Sequence, residues 1–132
     1  MRYLLDTNII ADLVRNPHGR TAIRIGKVGE SSVCTSVIVA AEVWYGAHKR
    51  GSRRLTAQLE MILAAIEIVP FESPAERVYG RLRSRLESAG HPIGGNDLII
   101  AAHAVALGFT LVTDNEREFS RIAELPLENW IR

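Results

Sequence analysis

Four short apolar runs, at residues 3–5, 32–35, 67–70 and 110–113, alternate with longer stretches that carry helical signals. Alternation of that kind implies a parallel sheet, because parallel neighbours are joined by helical crossovers that then cover both sheet faces. The expected fold class is therefore α/β, a three-layer α/β/α arrangement around a central parallel sheet of four to five short strands. A chain of 132 residues suits one domain spanning 1–132.

The helical stretches can be placed one by one. Asp6-Thr7-Asn8 supplies capping residues for a short helix over 9–14, and the breaker Asn16-Pro17-His18-Gly19 precedes a second over about 20–28. Ser36 can cap a long helix carrying Val37, Ile38, Ala41, Val43, Trp44 and Ala47. After Gly51, Leu55, Leu59, Ile62, Leu63 and Ile66 recur at helical spacing. Ser73-Pro74 predicts a further helix with Ser at the N-cap and Pro in the first turn, its core face being Val78, Leu82 and Leu86. Residues 90–95 read as a loop. Asn96-Asp97 then opens a helix so apolar over 98–107 that it must be buried, and residues 127–130 can add a short edge strand.

Ligand sites in open parallel sheets collect at the carboxyl ends of the strands. Asp6 follows the first apolar run and Asp114 follows the fourth. Two further acids sit where charge is costly: Glu42, inside the apolar run 37–44, and Asp97, at the start of the buried helix. A buried carboxylate without a partner costs several kcal/mol or becomes neutral, and no Lys or Arg in these segments is placed to offset them. A divalent cation among the acids would make such a cluster tolerable. All-oxygen ligation without neighbouring Cys or His points to Mg²⁺ or Mn²⁺ rather than zinc, and that chemistry suits phosphodiester hydrolysis. Each acid also has a structural use. Asp6 can cap a helix, Asp97 can complement a helix N-terminus, and Asp114 with Asn115 can form a turn. Glu42, in mid-helix, has no capping use.

Taken in order, four segments resemble a PIN domain, and in particular the VapC-type toxins of bacterial VapBC toxin–antitoxin pairs. They are Leu5-Asp6-Thr7-Asn8, the stretch from Ser36 to Ala47 around Glu42, the stretch from Ile93 to Ala104 around Asp97, and Leu111-Val112-Thr113-Asp114-Asn115-Glu116-Arg117-Glu118-Phe119. Together they span almost the whole chain. The resemblance implies a metal-dependent endoribonuclease acting on RNA, including structured RNA such as tRNA. Asp6, Glu42 and Asp97 would be its metal-holding acids, and Thr113 would orient a ligand or water. The fourth active-site position falls to Asn115 or Asp114, and the segment leaves both open. The resemblance further implies a homodimer and a cognate VapB-type antitoxin that wraps the protein and places a basic side chain near the acids.

Charge and composition narrow the other classes. Net charge is +1, from 16 Lys and Arg against 15 Asp and Glu. With four acids committed to a metal, the remaining surface is moderately basic. Arg50, Arg53 and Arg54, with Lys49, follow the Glu42 helix and are candidate phosphate contacts, as is the stripe Arg77, Arg81, Arg85. An ordinary solvated helix face is the plainer account of both groups. His103, on the apolar helix, reads as a core histidine, and Trp44 and Tyr45 as core or dimer-interface residues. The lone Cys34 cannot form an internal disulfide. The N-terminus has neither a signal peptide nor a membrane anchor, so a soluble cytoplasmic protein is the expectation. An inactive PIN-fold module that binds RNA or protein is the alternative. A phosphotransfer protein with Asp6 as nucleophile is a weaker one, because Glu42 has no part in that scheme.

Overall fold

Five strands pair in parallel in the order β3-β2-β1-β4-β5. The computed structural model describes residues 1–132. β1 (Tyr3–Leu5) leads to α1 (Thr7–Arg15) and α2 (Arg20–Val28), then β2 (Val33–Ser36), α3 (Val37–Arg50) and α4 (Arg53–Ala65). The chain continues through β3 (Glu67–Val69), α5 (Ala75–Ser88), α6 (Gly95–Leu107), β4 (Thr110–Val112), α7 (Glu116–Phe119) and β5 (Leu127–Glu128). Helices cover both faces, giving the three-layer α/β/α architecture expected of the sequence.

β1 lies at the centre of the sheet, with Leu4 between Cys34 and Leu111. The three central strands are apolar because both of their faces are covered. Leu4, Leu5, Cys34, Leu111 and Val112 are fully buried. Each such leucine contributes about 1.5–3 kcal/mol by leaving water. β3, at the edge, exposes Glu67 and Ile68, and Glu67 accepts a 2.7 Å bond from Arg2. The first two crossovers move outward from β1 on one side, whereas the link from β3 returns past two strands to β4. That reversal puts the switch point between β1 and β4, where a crevice opens beyond the strand ends.

The apolar helix behaves as its composition requires. In α6, Leu98, Ile100, Ala101, Ala102, His103 and Ala104 are all buried. α5 packs along α6 and brings Leu82 and Leu86 to the core. Asp6 caps α1, Ser36 caps α3 and Ser52 caps α4, each accepting a bond from a backbone N–H of its helix.

Several boundaries differ from the sequence reading for local reasons. α5 begins at Ala75, so Pro74 occupies the N-cap, and the Ser73 hydroxyl donates to the Glu76 side chain (2.6 Å) instead of capping the backbone. α6 starts at Gly95, one residue early, because Leu98 N–H reaches the Gly94 carbonyl. The one-turn helix α7 is an addition to the expected elements, and the edge strand shrinks to two residues. α3 is less enclosed than its apolar sequence suggests. Val39, Ala40 and Ala47 face the core, while Val37, Ala41 and Tyr45 are exposed.

Candidate active site

The carboxyl ends of the two strands at the switch point deliver the first site residues. Leu5 pairs with Val112, and the next residue on each chain is Asp6 and Thr113. Asp6 N–H donates to the Val112 carbonyl at 2.9 Å, so the sheet ladder runs into the site. Asp6 is 3% exposed. Its Oδ1 accepts from Thr7 N–H (2.8 Å), and its Oδ2 accepts from Thr113 Oγ1 (2.8 Å). Thr113 Oγ1 also accepts from Asn115 N–H at 3.0 Å. Burial raises the Asp6 pKa. The Thr113 and Thr7 bonds work against that rise, and the charges of Glu42 and Asp114 add to it.

Glu42 comes from the middle of α3 and is half-buried. Thr7 Oγ1 donates to its Oε1 at 2.7 Å, and Asn96 Nδ2 donates to its Oε2 at 3.2 Å. Thr7 stands in the first turn of α1 and Asn96 in the first turn of α6, so Glu42 ties three helices together. Asp97 follows in the same turn of α6. Its pKa is pushed up to about 6 by desolvation first, then by the charges of Asp6, Glu118 and Glu42. The structure therefore brings Asp6, Glu42 and Asp97 into one electrostatic cluster.

The fourth position divides between residues with different partners. Asp114 is exposed and bonded by the Asn8 side chain, at the rim of the cluster. Asn115 turns the other way, and its Nδ2 donates to Glu118 Oε2 at 3.3 Å. Glu118 Oε1 accepts from Gly94 N–H at 3.3 Å, just before α6. Glu118 is the acid that the sequence reading missed. Its signal was an Asn and a Glu three apart in one helical turn, which share a face once α7 is recognised.

None of these five acids takes part in an ion pair. No three of them converge into a ready-made cage for an ion. A Mg²⁺ site does not need one, since the ion keeps several waters and binds through one or two carboxylates plus substrate oxygens. Asn8 Oδ1 is buried without a hydrogen-bond partner beside Asp114, which leaves a free oxygen acceptor among the acids. The donor set is thus all oxygen, anionic and uncompensated. It fits a hard divalent cation held partly through water.

A groove leads away from Glu42 between α1, α3 and α4. Thr7 and Glu42 stand at one part of it, Ile10, Val43 and Leu59 line its floor, and Arg15 and Arg50 border it farther along. Arg50, Arg53 and Arg54 are exposed and free of ion pairs, as phosphate contacts must be. In the other basic stripe, two of the three arginines are committed. Arg81 and Arg85 both bind Glu124, whose pKa Arg85 chiefly lowers to about 2.

The PIN domain family matches this chain over residues 3–125. The chain belongs to the PIN-domain family. Among its PIN-domain relatives, Ribonuclease VapC2 of Rickettsia felis is 39% identical over 132 residues, covering 98% of each chain. The tRNA(fMet)-specific endonuclease VapC of Shigella flexneri is 31% identical over 131 residues, again covering 98% of each. The crystal structure of VapBC2 from Rickettsia felis, bound to a DNA fragment from its promoter, superimposes with a TM-score of 0.90. It is 38% identical and covers 98% of this chain and 99% of that one.

Proposed function

We propose that this chain is a VapC-type endoribonuclease that hydrolyses RNA phosphodiester bonds with the help of Mg²⁺ or Mn²⁺. The observation that carries the reading is the gathering of Asp6, Glu42 and Asp97 from a strand end and two helices, with no Lys or Arg paired to them. The full-length similarity to two VapC nucleases supports it.

Asp6, Glu42 and Asp97 would hold the metal, with Asp114, Asn115 and Glu118 shaping its surroundings. When bound, a divalent ion supplies positive charge against the phosphate and lowers the pKa of the attacking water. The chain's own residues do the aiming. Thr113 and the Thr7 amide fix the Asp6 carboxylate, while Thr7 and Asn96 hold Glu42 beside it. Arg50, Arg53 and Arg54 contact RNA phosphates and supply affinity without reading sequence. The tRNA named for the Shigella flexneri relative makes structured RNA the substrate class to test first.

The groove from Glu42 toward Arg50 supports a VapB-type antitoxin as partner, because an apolar floor beside the acids suits a segment that both docks and blocks. The exposed row of Val37, Ala41 and Tyr45 on α3 supports a homodimer. No helix is long and apolar enough to cross a membrane.

The test is RNA cleavage by the purified protein with Mg²⁺ or Mn²⁺, beside a chelator control and Asp97→Ala. Cleavage lost in both controls is expected. Cleavage that survives both belongs to a contaminant, and a protein that neither cuts RNA nor binds metal is the inactive binding module instead.

A further inference from the structure

His103 is 1% exposed, yet neither ring nitrogen is idle. Nε2 lies 3.1 Å from the Pro70 carbonyl, and Nδ1 lies 2.8 Å from Ser36 Oγ. A carbonyl can only accept, so Nε2 carries the hydrogen, and the Nδ1 of the neutral ring accepts from the Ser36 hydroxyl. Burial lowers the pKa of His103 and so favours that neutral ring, against smaller opposing effects of Pro70 and Glu72. Ser36 Oγ in turn accepts from Ile38 N–H at 3.0 Å, as the N-cap of α3. Phe71 meets the ring edge-on at 5.2 Å. One imidazole thereby joins α6, the start of α3 and the segment after β3. Filling space would require none of these bonds.

The position of the bond matters more than its existence. Glu42 lies six residues beyond Ser36 on α3, and Asp97 lies six residues before His103 on α6. At 1.5 Å per residue, each acid stands about 9 Å along its helix from the same hydrogen bond. At the far end, Asn96 Nδ2 bonds Glu42 Oε2. The two helices run past each other in opposite senses, tied once at Ser36–His103 and once at Glu42–Asn96. The second tie uses a carboxylate that a bound metal would share. The first tie uses no catalytic group.

We propose that His103 is a positioning residue which, through Ser36, holds α3 and α6 in register and so sets the spacing of Glu42 and Asp97 while Glu42 is engaged in catalysis. This rests on the nuclease reading above. His103 touches no reacting atom. Its action is on the geometry of two residues that do, and a displacement near 1 Å can cost about 100-fold in rate.

Two near-isosteric variants divide the two bonds. His103→Asn keeps an acceptor where Nδ1 faces Ser36, and His103→Gln keeps a donor where Nε2 faces Pro70. With the full-length protein and RNA in Mn²⁺, His103→Gln should lower kcat roughly tenfold to 100-fold with KM for RNA little changed. His103→Asn should retain most of kcat. Ser36→Gly keeps a competent helix start and removes the hydroxyl. It should match His103→Gln, and the double variant should lose no more than either alone. Hydrogen exchange followed by mass spectrometry gives a readout independent of activity: His103→Gln should speed exchange around residues 41–44 and 96–98, and His103→Asn should not. Equal losses in the Asn and Gln variants, in step with thermal stability, would show simple packing and overturn the proposal. A wild-type protein that cuts no RNA defeats the nuclease reading, and the exchange comparison still decides the role of His103.

Discussion

Thr113 Oγ1 donates a 2.8 Å hydrogen bond to Asp6 Oδ2 across the central strand pair, with both residues buried. It is the strongest influence holding down a carboxylate pKa that burial would otherwise push higher. Thr113→Val preserves shape and removes the donor. The variant should fold, raise the pKa of Asp6 further and lower kcat roughly tenfold to 100-fold, while Thr113→Ser keeps near-normal activity. Carboxylate titration by NMR together with a pH–rate profile checks this. An unchanged Asp6 titration in the valine variant would contradict it.

Asp97 links the site to stability. Its folded pKa is about 6 against an ordinary 3.8, so the folded protein binds that proton more tightly than the unfolded chain does. Stability therefore falls as pH rises from 3.8 to 6, and the penalty is complete above 6. Asp97→Asn should abolish cleavage yet raise the melting temperature of the metal-free protein at pH 7–8. The advantage should fade toward pH 4. Thermal melts of both proteins across that range, in chelator, make the comparison. Adding Mg²⁺ should then stabilise the wild type more than the variant, because binding to the folded state alone adds stability.

Glu118→Gln separates charge from position. The amide can still accept from Gly94 N–H, but one of the negative charges that add to the desolvation of Asp97 in raising its pKa is gone. Asp97 should titrate lower, and cleavage should need more Mg²⁺ or Mn²⁺ to reach half its maximum. A variant with the wild-type metal requirement and an unmoved Asp97 would place Glu118 outside the working site.

Among the arginines, the division is between free and committed side chains. Replacing Arg50, Arg53 and Arg54 with alanine should raise KM and flatten the salt dependence of RNA binding, by about 0.7 in log–log slope for each phosphate no longer neutralised. Maximal rate should hardly change. Arg85→Ala should leave RNA affinity alone, since that side chain already serves Glu124. Binding isotherms from 50 to 300 mM salt, roughly the range where counterion release is readable, would test both.

The central layer was legible because its cause is local. Strands covered on both faces read as apolar runs, and the strongly apolar α6 could only be buried. Asp6, Glu42 and Asp97 stood out for the same reason, as charges in apolar surroundings. What stayed hidden depended on partners distant in sequence. Nothing around residue 118 announces that a glutamate will face Gly94 N–H, 24 residues away. Asp114 and Asn115 take different partners, Asn8 for one and Glu118 for the other, and adjacent positions in sequence do not announce that divergence. The openness of α3 was hidden because an apolar sequence does not distinguish a core face from an exposed one. Ser73 has the sequence setting of a helix cap, but its hydroxyl finds a closer partner in the Glu76 side chain.

The place of β1 at the middle of the sheet also makes the site depend on a part of the chain far from Asp6 in sequence. Its first neighbour, β2, lies some thirty residues downstream, but its other neighbour, β4, is among the last of these 132 residues to be made. Thr113 is 107 residues from the Asp6 carboxylate it steadies. At translation rates of about 5–20 residues per second, that gap lasts roughly 5 to 20 s. Until β4 is made, β1 lacks one of its two partners and Asp6 lacks the Thr113 hydroxyl. A chain cut short before residue 110 would lack both the second strand neighbour of β1 and the hydroxyl that holds the Asp6 carboxylate.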